Sequence, residues 1–228
     1  MGTLAVLLEI VVAIAAIVAV ALALVALGTK LLSRPRRVGA VKISALKDST
    51  HTDASGAVRS VQSADLTIAS DALDAMWTPV HLERLARTYW RFLTRCTLGL
   101  IRIQYTDQER FVVFIRRPFL LLAFRKPEYE IDDTRGVVRW RIERGVLVAM
   151  PGIDGDGYLE IEVRREPTEK PGFATLHVDV EIANYYPRIA VSIAQWAYAA
   201  TQSKIHVLVT YGFLRSIARG DLAPTRSS

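Results

Sequence analysis

The sequence predicts an α+β chain: an N-terminal transmembrane helix, then an antiparallel sheet wrapped around a long C-terminal helix. Three observations carry this. Residues Leu4 to Leu27 form an apolar run broken only by Glu9. Four later segments alternate apolar and polar residues with the period of two that marks a half-buried strand. The chain then ends in a helical segment, 189–219, whose apolar positions cover most of its circumference, so a sheet, a membrane or a partner must enclose it.

The apolar run comes first. Its length corresponds to a helix of about 36 Å, enough to cross a hydrocarbon core of roughly 30 Å with some tilt. No Lys or Arg precedes it and it exceeds a signal-peptide core, so a retained anchor over 1–28 is expected. Glu9 reads as an interfacial carboxylate or as a contact for a partner helix, the latter implying a membrane-protein partner through the span. Lys30, Arg34, Arg36, Arg37, Lys42 and Lys47 follow the run with no acid before Asp48. The positive-inside rule then places the N-terminus outside and the rest of this single-pass chain in the cytoplasm, on the cell membrane. The single cysteine, Cys96, excludes an internal disulfide framework and suits a reducing compartment.

Charge narrows the partners. The chain carries 29 basic and 23 acidic residues, and setting aside the six basic residues of 30–47 leaves 23 against 23. A nucleic-acid binder should carry its excess charge on the folded domain, so no nucleic-acid partner is expected. Lys30, Arg34, Arg36 and Arg37 read as membrane-surface residues, each worth roughly 1 kcal/mol against anionic headgroups, with membrane lipids as the partner.

Residues 29–63 read as a basic juxtamembrane segment and a flexible tether, the stretch 48–63 being small and polar with no clear period. One globular domain is expected over 64–220, with a disordered tail at 221–228. Ala64 to Ala69 suits a short first strand. Residues 79–97 suit an amphipathic helix, with Leu82, Leu85, Ala86, Tyr89, Phe92 and Leu93 on one face, four arginines on the other and Pro79 in the first turn. The alternating strands are Ile101–Tyr105, Val138–Ile142, Leu159–Val163 and Leu176–Ile182. Phe111–Ile115 and Phe119–Phe124 are apolar throughout, as in strands buried on both faces, and Val146–Met150 reads as a further short strand. In the last helix, after Pro187 and before Gly220, only a narrow stripe is polar: Ser192, Gln195, Gln202, His206 and Thr210.

This order of a strand, a helical segment, a run of antiparallel strands and a long last helix resembles the START-like helix-grip superfamily (SRPBCC) over about Ala64 to Arg219. The strand text GYLEIEV at Gly157–Val163 and the helix text YAATQSKIHVLVTYGFLRSIAR at Tyr198–Arg219 belong to that resemblance. It implies a curved sheet gripping the last helix, with an apolar cavity between them. The polar and small residues along one stripe of the last helix depart from a plain cavity wall.

Chemical motifs are scarce. There is no GxGxxG, Walker A, HExxH, GxSxG or CxxC pattern, so no catalytic residue, cofactor or metal site is assigned. His51, His81, His177 and His206 read as ordinary polar contacts. Asp154-Gly155-Asp156-Gly157 fails as a calcium loop because Tyr158 and Leu159 follow, and reads as a hairpin turn. Glu128, Glu130, Asp132 and Asp133 read as a solvated turn. Large aromatics near the last helix, Tyr185, Trp196, Tyr198 and Tyr211, together with Trp140, are the candidate ligand-binding residues. The leading expectation is a membrane-tethered cytoplasmic module binding a lipid or isoprenoid. An adaptor or structural subunit of a membrane complex is the alternative, and an enzyme acting on an apolar substrate in the same cavity is the third.

Overall fold

The computed structural model describes residues 36–114, 120–153, 155–186 and 207–225. The apolar run Leu4–Leu27, Lys30 and Arg34, residues 189–206 of the expected last helix with Trp196 and Tyr198, and His206 lie outside the described residues. No helix among the described residues is long and apolar enough to cross a membrane.

Four strands open the described chain: β1 (Arg36–Val38), β2 (Val41–Ile43), β3 (Lys47–Thr52) and β4 (Val58–Ala69). Two helices follow, α1 (Ser70–Met76) and α2 (Pro79–Cys96). Then come β5 (Ile101–Tyr105), β6 (Glu109–Phe114), β7 (Leu120–Arg125), β8 (Glu128–Ile131), β9 (Arg135–Arg144), β10 (Tyr158–Pro167) and β11 (Phe173–Tyr185). Residues 207–219 form a helix, α3. The strands join in the order β1-β2-β4-β11-β10-β9-β7-β6-β5, with β3 also on β4 and β8 on β9. The described pairings are antiparallel. β4 and β11, far apart in sequence, are neighbours from Phe173↔Ala69 to Tyr185↔Val58. The α1–α2 segment carries the chain from β4 to β5, at the opposite end of the strand order.

Three expectations are corrected. Residues 48–63 are not a tether: they hold β3 and the first half of β4, and β1 and β2 precede them. β4 does alternate, but at that end its buried positions are Ser60 and Gln62, so the period of two is invisible to hydropathy. Gln62 Nε2 donates to Asp48 Oδ1 and Ser60 Oγ, both at 2.9 Å, which satisfies the buried amide. β3 is exposed along its whole length and exists because its backbone completes the edge of β4. Val146–Met150 is no strand but a turn leading to a 3-10 turn at Met150–Gly152. Gly145, at φ +149°, precedes the run, and a Cβ there would collide with the Leu121 carbonyl oxygen. The tail is ordered through residue 225, with Leu222 and Ala223 buried. Its backbone is held by α2: the Arg84 guanidinium donates to Ala223 O at 3.1 Å, and Thr88 Oγ1 accepts from Ala223 N at 2.8 Å.

α2 forms as expected. Thr78 Oγ1 caps it by accepting from His81 N at 3.2 Å, and Pro79 occupies the first turn. Leu82, Leu85, Ala86, Tyr89 and Trp90 are buried against the sheet and α3. Trp90 meets Trp140 of β9 and Phe124 of β7 at ring separations of 5.2 and 5.5 Å, while Tyr89 meets Phe213 of α3 at 5.9 Å. α2 is thus the wedge that joins the sheet to the last helix. β6 and β7 bury residues on both faces, with Val112 and Phe124 in the main core and Phe111, Val113 and Ala123 in a second cluster. The other face of the central strands is a lattice of ion pairs, among them Arg59–Glu181 at 2.8 Å, Arg139–Glu160 at 2.5 Å and Arg164–Asp179 at 3.0 Å.

Candidate functional site

The apolar face of the sheet and the helices packed on it form the interior. From α3 it receives Val209, Phe213, Leu214 and Ile217. Where α1, the start of α2, the sheet and the end of α3 meet, a cavity of about 40 Å³ remains, lined among others by Leu73, Trp77, Leu85, Val163, Ile217 and Leu222. That volume holds water-sized occupants; ligand pockets run to about 300–1,000 Å³. Trp77 closes one side, its Nε1 donating to Asp132 O at 2.7 Å and its ring lying 5.4 Å from the Arg165 guanidinium, which pairs with Asp74. His81 also lines the cavity. Its Nδ1 lies 2.8 Å from Thr78 Oγ1, and Arg84 approaches its Nε2 at 3.4 Å. Burial first, and the Arg84 charge second, hold the imidazole below its ordinary pKa.

Among the described residues four buried side-chain atoms have no hydrogen-bond partner: the Nε atoms of Arg91 and Arg165, the Trp90 indole Nε1 and Thr210 Oγ1. Trp90 is 3 % exposed and Thr210 1 %. The polar stripe anticipated on the last helix therefore ends at a residue turned into the core. An unpaired buried donor or acceptor costs about 1–3 kcal/mol.

The sequence-derived ligand residues fall in different places. Trp140 is 1 % exposed at the centre of the core against Trp90. Tyr185 ends β11 and is buried, its hydroxyl donating to Leu147 O at 2.7 Å, so it closes one end of the core. Tyr211 is buried outside the main core cluster, its ring 6.0 Å from the Arg215 guanidinium. Trp196 and Tyr198 lie outside the described residues. Of the membrane-surface residues, Arg36 and Arg37 lie on β1, with the Arg37 side chain exposed. Trp77, His81, Trp90, Thr210 and Leu222 were not singled out for this interior. The pattern of α2 pointed to Tyr89, and the neighbouring Trp90 widens that face by one position.

The remaining polar clusters resolve into structure. Glu128 pairs with Arg141 at 2.9 Å, and Glu130 with Arg135 at 3.7 Å. Asp132 Oδ1 accepts from the backbone N–H groups of Thr134 and Arg135, both at 2.8 Å, which holds its carboxyl below the usual range. His177 bridges Asp65 at 2.5 Å and Asp179 at 3.1 Å. Among the described residues no group of three or more His, Cys, Asp or Glu is placed to hold a metal ion.

No family model matches the chain, and no curated protein matches it. Solved structures do. Norcoclaurine synthase from Thalictrum flavum is 17 % identical, covering 70 % of this chain and 93 % of its own, with a TM-score of 0.31. Human StAR-related lipid transfer protein 5 is 13 % identical, with 86 % and 97 % covered and a TM-score of 0.27. A conserved protein of unknown function from Enterococcus faecalis is 13 % identical, with 80 % and 83 % covered and a TM-score of 0.29. Superposition at this level carries no argument about ligand or activity. The fold rests on the strand order, the β4–β11 pairing and the packing of α3: an antiparallel sheet with a C-terminal helix against it, a helix-grip-like arrangement.

Proposed function

We propose that the chain is a membrane-tethered cytoplasmic module whose interior binds an apolar ligand with a polar head, a lipid or isoprenoid. The observation that carries this is two buried polar atoms that have no hydrogen-bond partner among the described residues, Trp90 Nε1 and Thr210 Oγ1, in a largely apolar interior. A ligand hydroxyl or carbonyl accepting from the indole, or bonding the threonine hydroxyl, removes that penalty while its hydrocarbon lies along the sheet. Trp140 borders the same interior and Tyr185 closes one end of it; Trp196 and Tyr198, outside the described residues, and Tyr211 are the other aromatic candidates of the sequence. The tether is the apolar run Leu4–Leu27, oriented by its basic flank.

The test is extraction of the purified full-length protein, mass spectrometry of what co-purifies, and titration with fluorescent fatty-acyl and isoprenoid probes. Saturable binding is expected, weakened about tenfold by Trp90→Phe or Thr210→Val. Absence of both a co-purifying lipid and saturable binding would falsify the ligand reading. An adaptor within a membrane complex is the second reading. It is favoured by the aromatic packing of Tyr89, Trp90, Phe124, Trp140 and Phe213 and by the small cavity, and it takes over if no ligand binds.

A further inference from the structure

Several arginines of this domain sit in close ion pairs. Arg59, Arg135, Arg139, Arg141, Arg144 and Arg164 each meet a carboxylate within 2.9 Å on their nearest partner. Three arginines depart from this together. Arg37 on β1 and Arg215 and Arg219 near the end of α3 line one solvent-open groove of about 610 Å³, between the β1–β2 turn at Gly39-Ala40 and the helix. No carboxylate lines this groove, and none of the three forms an ion pair among the described residues. The Arg215 guanidinium is steadied over the Tyr211 ring at 6.0 Å. Three like charges line one groove with no counter-charge among the described residues that line it, and the C-terminal dipole of α3 offsets only about half of one.

A guanidinium presents a planar fork of donors that matches phosphate oxygens, and several around one groove suit a phosphate dianion or diester. The groove also lies close in sequence to the apolar run: ten peptide steps separate Leu27 from Arg37, which limits their separation to about 35 Å. We infer that the groove formed by Arg37, Arg215 and Arg219 binds a phosphate group, and that in the tethered chain this phosphate is a lipid headgroup. The headgroup assignment rests on the membrane-tether reading; the phosphate chemistry does not. The charge count alone did not reveal this site, because two of its three arginines come from the far end of the chain.

The experiment is calorimetric titration of the full-length chain in zwitterionic detergent with dihexanoyl phosphatidic acid, inorganic phosphate and dihexanoyl phosphatidylcholine. Phosphatidic acid is expected to bind saturably at one site, and phosphatidylcholine not to bind there. The triple variant R37Q/R215Q/R219Q should lose about tenfold or more in phosphatidic acid affinity, the scale of one or more charge-assisted hydrogen bonds, with an unchanged melting temperature. The control R102Q/K126Q, exposed charges that do not line the groove, should stay within about twofold, which separates the groove from bulk basicity. Equal affinity of the triple variant and the parent, or no binding of either phosphate compound, overturns the site. Inorganic phosphate binding as tightly as phosphatidic acid keeps the phosphate site and overturns the headgroup assignment. Recovery of the full chain outside the membrane fraction defeats the tether alone and leaves the inorganic phosphate titration standing.

Discussion

Thr210 and His81 show how a single polar atom can report on the interior. Thr210 Oγ1 is buried without a partner among the described residues, so in ligand-free protein it is a net cost. Thr210→Val should therefore raise the stability of ligand-free protein by about 1 kcal/mol, measured by urea unfolding, while weakening ligand. A loss of stability would show that the hydroxyl is already satisfied. His81 bears on pH. Its folded pKa lies below its ordinary 6.5, through burial and then Arg84, so the unfolded chain takes up a proton that the folded state resists. The stability this contributes is present above pH 6.5 and is lost as pH falls below it. Melting temperature should drop over that acidic window, and His81→Gln should flatten the slope there. An unchanged slope in the variant would assign the pH dependence to other groups.

Among the elements, the joints matter more than the strands. Gly145 ends β9 at a φ of +149° with the Leu121 carbonyl where a Cβ would go. Gly145→Ala should cost about 3 kcal/mol, through both backbone strain and displacement of β7. Equilibrium denaturation checks this, and a change under about 0.5 kcal/mol, the range of an ordinary surface substitution, would show that the turn can relax. The tail acts as a plug: Leu222 lines the small cavity while Arg84 and Thr88 hold the backbone beside it. Leu222→Ala should cost about 2–3 kcal/mol by enlarging that cavity. The same variant should admit a small apolar probe such as benzene, detectable as a ligand-dependent rise in melting temperature. A tail that merely drapes over the surface would give neither effect.

For the whole molecule, the central question is where the domain stands relative to a membrane. With all the flanking basic residues on one side of Leu4–Leu27, a reporter fused after Ser228 should be active only in its cytoplasmic form. Replacing Lys30, Arg34, Arg36 and Arg37 by neutral residues should scramble that orientation while leaving the domain folded by circular dichroism. Activity from an exported reporter on the parent chain would reverse the topology. The ion-pair lattice on the outer face should not decide stability, since exposed pairs contribute about 0–1 kcal/mol each.

The antiparallel sheet, α2 with its proline start, and the burial of the last helix over its described residues 207–219 were all legible, because each buries an apolar face with a clean period of two or about 3.6. β7 was legible as a strand from its continuous apolar text, and the structure explains that text by burying both of its faces. The first half of β4 was hidden because its inward residues are Ser60 and Gln62, polar groups satisfied by side chains on β3 and on β4 itself. β1 to β3 were hidden because an edge strand can form on backbone hydrogen bonds alone and leaves no hydropathy trace. The tail looked disordered because eight mixed residues carry no period, and only docking on α2 gives Leu222 a place to be buried. The interior site was the least legible part. Trp90 and Thr210 acquire meaning by what fails to meet them, and Arg37 joins Arg215 and Arg219 only because β1 folds back beside the end of α3. Local patterning can specify which face of an element is apolar, but which polar atoms converge, and which are left without a partner, depends on contacts between residues far apart in the chain.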